Sequence, residues 1–145
     1  MATITDFNEL KVWQVLNKQI FSEVFERDDI KDYALKDQLN RSAGSVMGNI
    51  AEGFGRGGNK EFINFLGFSL GSLSEVESQL IRGCDRSYLD EVRMEQFEKS
   101  IKEFVLLSET LKKVCFIASY TSHLRDVHNA CKNNIGTSAV PSPTF

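Results

Sequence analysis

The sequence predicts an all-α chain folded as an up-down-up-down four-helix bundle, on three observations. Apolar residues recur at steps of three and four along four long segments. The connections between those segments are short, which sets neighbouring helices antiparallel. The two prolines, Pro141 and Pro143, both lie in the last five residues, so nothing before them must break a helix. No strand-type alternation competes with this pattern. With 145 residues, 41% of them hydrophobic and 26% charged, the chain is sized and composed for one globular domain with a buried core.

The first helix is expected over 7–26. Asp6 and Glu9 form a capping box, and Leu10, Trp13, Leu16, Ile20 and Val24 follow as one stripe, widened by Phe21 and Phe25. A charged connection, Arg27 to Lys31, leads to a second helix from Asp32 to Phe54, whose buried line is Leu35, Leu39, Ala43, Val46 and Ile50. Gly53, Gly55, Gly57 and Gly58 are read as its stop and turn. Asn59 is the expected N-cap of the third helix. Phe62, Leu66, Leu70, Leu73, Val76, Leu80 and Cys84 carry that helix to Arg86, with Phe65, Phe68 and Ile81 as a second apolar edge. Left uncovered by the monomer, the Phe65/Phe68 edge would be an oligomer surface. Tyr33 and Tyr88 are expected to staple helix entrances. Asp90 caps the fourth helix, in which Met94, Phe97, Ile101, Phe104, Ser108, Leu111, Cys115 and Ala118 alternate steps of three and four. The pattern weakens from Thr121, and a frayed helical extension to about Cys131 is expected. The bundle domain is drawn as 1–132, with a mobile tail over 133–145.

One helix face is polar. Gln38, Arg41, Ser45, Asn49 and Glu52 follow at spacings of 3, 4, 4 and 3, and the third helix offers Ser69, Ser72, Glu75 and Gln79 in return. A reversal of the chain about residue 57 would set Arg41 near Leu73, within reach of Ser72 or Glu75, and Ser45 opposite Ser69. A partly buried Arg41–Glu75 pair would then fix the register of the two helices. That structural role is the preferred reading of the stripe. A ligand or partner site built on Arg41, Asn49 and Glu52 is the competing one. Ser42, Ala43, Gly44, Ser45 and Gly48 are expected to face Gly67, Ser69, Gly71 and Ser72, bringing the backbones close.

Catalytic and cofactor motifs find little support. Gly53 to Gly58 satisfies G-x-G-x-x-G, but the dinucleotide fingerprint needs a strand before it and here a helix precedes. Arg56 and Lys60 beside the next helix start offer at most a phosphate site. Cys115, His123, His128 and Cys131 have the chemistry of zinc ligands but no tight C-x2-C pair, so no metal site is assigned. Neither histidine follows a Glu by three residues, which excludes the di-iron bundle motif. No serine has a base placed by motif, so no enzyme activity and no cofactor are expected. Net charge is −3, with 7 basic against 9 acidic residues up to Gly58 and 10 against 11 beyond it, so neither half is a basic module. Three scattered cysteines, no signal-type leader and no long apolar run predict a cytoplasmic protein without a membrane span.

The residues Phe7-x-x-Leu10-x-Val12-Trp13-Gln14, Gln38-Leu39-x-Arg41-Ser42-Ala43-x-Ser45-Val46-x-x-Asn49-Ile50-Ala51-Glu52-Gly53 and Gly71-Ser72-Leu73-x-Glu75-x-Glu77-x-Gln79-Leu80 are similar to motifs of the 23S rRNA intervening-sequence protein family, the bacterial four-helix bundle proteins. The resemblance spans about residues 7–118. It implies a left-handed bundle assembled as a ring, typically a homopentamer, with no established enzyme activity. It also implies kinship with the accessory protein of diversity-generating retroelements, which associates with a reverse transcriptase and nucleic acid through a basic surface. The leading expectation is therefore a non-enzymatic oligomeric scaffold that binds a protein partner or nucleic acid. Candidate contacts to nucleic acid are Arg56, Lys60, Arg82, Arg86, Arg93, Lys112 and Lys113. Direct RNA or DNA binding by such a ring is the first alternative, and a metal-binding or enzymatic bundle the second.

Overall fold

A computed structural model describes residues 11–135, with the side chains of residues 13–126 and of Asn129. It contains α1 (Lys11–Ile20), a π-helical turn (Phe21–Phe25), α2 (Tyr33–Gly55), α3 (Asn59–Asp85) and α4 (Glu91–Ile135), and no strand among the described residues. The expected Asp6–Glu9 capping box and Leu10 lie outside these residues, as does the tail from residue 136.

The apolar stripes meet in one core. Trp13, Leu16, Ile20 and Val24 enter it from α1 and its π turn. Leu39, Val46 and Ile50 enter from α2, Leu66, Leu73, Val76 and Leu80 from α3, and Phe97, Ile101 and Phe104 from α4. Ile30, in the connection after α1, is also buried. The π turn, closed by Glu26 N–H on the Phe21 carbonyl at 3.0 Å, changes the helical phase. It keeps Val24 inside but leaves Phe21 exposed, so Phe21 does not widen the core stripe. Two helix pairs show their direction directly. Ser45 meets Ser72 and Gln38 meets Arg82, so α2 and α3 run antiparallel. Trp13 meets Phe104, Gln19 meets Ser100 and Glu23 meets Arg93, so α1 and α4 do the same.

Local chemistry fixes the ends. Asp32 caps α2 by accepting from Leu35 N–H at 3.0 Å, and Asp90 caps α4 by accepting from Arg93 N–H at 2.8 Å, the latter as the sequence predicts. Lys36 donates to the Arg27 carbonyl at 2.8 Å and tethers the chain leaving α1. At α3 the cap position is Gly58, not Asn59. Gly58 takes the extended backbone (φ −103°, ψ 133°), and Asn59 is already the first helical residue. Tyr33 is exposed and staples nothing, whereas Tyr88 is half-buried against the core. Helix α4 is 45 residues long and runs to Ile135, past Thr121 and four residues beyond the expected extension to about Cys131.

Helix α3 ends in a Schellman turn. The Ser87 N–H donates to the Cys84 carbonyl at 2.8 Å and the Tyr88 N–H to the Gly83 carbonyl at 2.9 Å. The turn needs a left-handed residue, and Ser87 supplies it at φ 59°. A side chain there costs energy that glycine avoids, partly offset by the unfolded-state entropy of glycine. Ser87→Gly is therefore expected to raise stability by about 0.5–1 kcal/mol, read from the urea midpoint at constant m-value.

Candidate functional site

The polar stripe of α2 faces α3 and solvent together. Ser45 and Ser72 share a hydroxyl–hydroxyl hydrogen bond of 2.9 Å, and Asn49 Nδ2 donates to the Ser45 carbonyl at 2.9 Å. Beneath them Ser69, fully buried, donates to the Val46 carbonyl at 3.1 Å. Glu52 holds Arg56 at 2.5 Å, and the Arg56 guanidinium lies 4.9 Å from the centre of the Phe65 ring. Gln38 accepts from Arg82 at 3.2 Å, and Gln79 accepts from the same arginine at 2.6 Å.

The register differs from expectation by one to three residues: Ser69 meets Val46, next to the expected Ser45, while Ser45 itself is displaced by a turn. Helix α2 continues through Gly53 to Gly55 and the chain turns at Gly57, whose φ is +71°. Ser45 therefore meets Ser72 rather than Ser69. Arg41 points outward and pairs with Asp37 at 2.7 Å, four residues back on its own helix, so the Arg41–Glu75 pair does not form. An exposed pair of this kind contributes only a few tenths of a kcal/mol, roughly, and does not set register. Register rests instead on Ser45–Ser72, Ser69–Val46 and the close approach at Gly53, where an added Cβ would fall 2.5 Å from Phe65 Cβ.

The glycines expected between the helices sit elsewhere. Gly44, Gly48, Gly67 and Gly71 are exposed, and a Cβ on any of them would meet nothing within 4 Å. An open groove of about 650 Å³ lies between α2 and α3, lined by Gln38, Arg41, Ser45, Glu75 and Gln79 among others. Arg41 and Glu75 thus share a groove without sharing an ion pair. Glu75 is exposed and has no ion-pair partner among the described residues.

Most of the seven candidate cations are engaged within the chain. Arg86 pairs with the Asp32 cap, Arg93 with Glu23 and Asp90, and Lys112 with Glu109 at 3.0 Å. Arg56 and Arg82 are held as described above. Lys60 and Lys113 are exposed without an ion-pair partner among the described residues. Of the zinc-type residues, Cys115 and His123 lie eight residues apart on α4, and the side chains of His128 and Cys131 fall outside the described set. No cluster of three His, Cys, Asp or Glu groups that could hold a metal occurs among the described residues. Burial pushes the Cys84 and Cys115 thiols upward, away from the thiolate form a nucleophile needs. No helix among the described residues is long and apolar enough to cross a membrane.

Sequence reasoning missed one surface. Every described side chain from Phe116 to Asp126 is exposed, including Phe116, Ile117, Tyr120 and Leu124. The signal was present as a second set of helical spacings, on the side of α4 away from the Phe97–Ser108 seam. The intact first seam drew attention from it.

Residues 8–109 match the family model described as 23S rRNA-intervening sequence protein, well over half of the chain. The match ends while α4 continues for another 26 residues. No curated protein matches the chain significantly.

Proposed function

The chain belongs to the 23S rRNA-intervening sequence protein family, and from that premise we propose that it acts as a non-enzymatic, homo-oligomeric scaffold in the cytoplasm, holding a protein partner. In this reading the four helices alternate up and down in a left-handed bundle, and copies close into a ring, with five the number the resemblance implies. One observation carries the reading: large apolar side chains outside the core. Phe68 on α3 is 60% exposed, and Leu106, Phe116 and Ile117 on α4 are 71%, 67% and 58% exposed. Large apolar side chains left in water are candidates for protein–protein contact.

The cations favour a protein partner over nucleic acid. Five of the seven candidates are already engaged within the chain: Arg56, Arg82, Arg86, Arg93 and Lys112. Phosphate neutralisation would require breaking those contacts or a surplus that a chain of net charge −3 does not carry. Native mass spectrometry of the protein purified without nuclease tests the reading. The expected spectrum is a single closed multiple of the chain mass with nothing bound. A monomer at micromolar concentration overturns the scaffold reading. A ring carrying nucleic-acid mass that is lost steeply with salt replaces it with direct nucleic-acid binding.

A further inference from the structure

The apolar surface at the end of α4 lies past the reach of α3. Counted from the turn they share, the 27 residues of α3 match α4 as far as Ile117, so the 18 residues from Ala118 to Ile135 run on past it for about 27 Å. Around this end Phe116, Tyr120, Leu124 and Ile117 fall within a sector about 100° wide, and all four are exposed. A sector of that width is what a helix ordinarily turns to a core. It points away from the seam of Phe97, Ile101, Phe104 and Ser108, so the bundle of the same chain cannot cover it. Residues 114–124 include no Lys, Arg, Asp or Glu, so no charge interrupts it.

We propose that residues 136–145 fold back along α4 as a strap over this sector. Spacing selects this occupant. Pro141, Pro143 and Phe145 recur every second residue, and in extended chain, which proline tolerates, that is a step of about 6.6 Å along one face. Leu124, Tyr120 and Phe116 recur every fourth residue, a step of about 6 Å along a helix. Pro141 on Leu124, Pro143 on Tyr120 and Phe145 on Phe116 therefore bring the two rows into register. Proline rings on an aromatic-lined surface are a contact by which extended segments are recognised.

Reach and composition agree. From Ile135 back to Leu124 is about 17 Å along the axis, and the six residues from Ile135 to Pro141 extend to about 20 Å, which leaves room for a turn. Gly136 follows the last helical residue, the position at which glycine redirects a chain leaving a helix. Residues 136–145 carry no charge and no polar side chain larger than a hydroxyl, so nothing in them resists an apolar face. A segment tethered this closely needs little intrinsic affinity to occupy the site. The strap is an autoinhibitory contact: it withholds the sector from other apolar partners and yields it to one that binds there more tightly. It does not depend on the assembly reading, which retains Phe68 and Leu106.

Comparison of the full chain with one stopped after Ile135 tests it, by the fluorescence of anilinonaphthalene sulfonate and by hydrogen–deuterium exchange read by mass spectrometry. Removal of 136–145 is expected to raise both dye fluorescence and exchange across 116–126 several-fold, with exchange over 97–108 and the mass by light scattering unchanged. In the full chain, Pro143→Ser combined with Phe145→Ser is expected to reproduce both increases. Thr137→Ala combined with Ser138→Ala is expected to leave both at wild-type values. A shortened chain that matches the full chain in dye binding and exchange overturns the inference, as does a Pro143/Phe145 double variant that behaves as wild type. A change of oligomer mass on shortening would assign the segment to a contact between copies and overturns it too. A monomeric wild type overturns the assembly reading alone, because the strap is read within one chain.

Discussion

Trp13→Ala is expected to cost about 3–5 kcal/mol, the range for removing a large aromatic side chain from a core that cannot collapse around the gap. Trp13 is 2% exposed, and its ring meets Phe104 edge-on, with centroids 5.8 Å apart and planes at 65°. Edge-on pairs of this kind add about 0.5–1.5 kcal/mol beyond the area they bury. The indole fills the space between α1 and α4, and Leu16 and Ile20, the next core positions on α1, are already fully packed. Nothing nearby is free to refill the cavity. Against a total of about 5–15 kcal/mol for a domain, the loss is a large share of stability. Urea denaturation followed by circular dichroism measures it, and the thermal midpoint is expected to fall by roughly 10 °C. A loss below about 1 kcal/mol would mean that α1 is not docked on α4 through this residue.

The legible parts of the fold are those that obey a period. Leu39, Val46 and Ile50, and Phe97, Ile101 and Phe104, are all buried, because burying one face of a helix imposes its 3.6-residue repeat on the sequence. Asp90 was legible as a cap because a short carboxylate before an apolar run has a specific task there. Register was not legible. It depends on how far α2 runs before turning, and Gly53 and Gly55, read as breakers, are helical residues, so the pairing of Ser45 moved by a turn. The outward glycines were misplaced for a related reason. Helical spacing shows that Gly44, Gly48, Gly67 and Gly71 lie together but not which way they face. Gln38, Arg41, Ser45 and Glu75 line one open groove, but the Arg41 partner is Asp37, because an exposed arginine takes the nearest carboxylate on its own helix. The π turn after Ile20 has no sequence signature that a period could expose.

Glycines on α2 give a contrast of sign that composition alone would never predict. In a helix interior alanine is favoured over glycine by about 1 kcal/mol, so Gly44→Ala, with open space over its Cβ, is expected to stabilise by about that amount. The same change at Gly53 meets Phe65 Cβ at 2.5 Å, with Phe65 Cγ at 3.1 Å and Phe62 Cδ2 at 3.3 Å. The first of these atoms is fixed to the α3 backbone, so no rotamer change relieves the overlap, and α2 and α3 must separate beside the Gly57 turn. Overpacking of this kind costs about 1–3 kcal/mol, which outweighs the helical gain and leaves Gly53→Ala clearly destabilising. Separation at this end would also strain the Ser69–Val46 bond two turns away, whose loss would leave a buried hydroxyl unsatisfied at a further ~1–3 kcal/mol. Parallel urea titrations of the two variants decide the matter. Opposite shifts in midpoint at equal m-value are the expected result, and a stabilised Gly53→Ala protein would place α2 and α3 farther apart at the turn than the register described here allows.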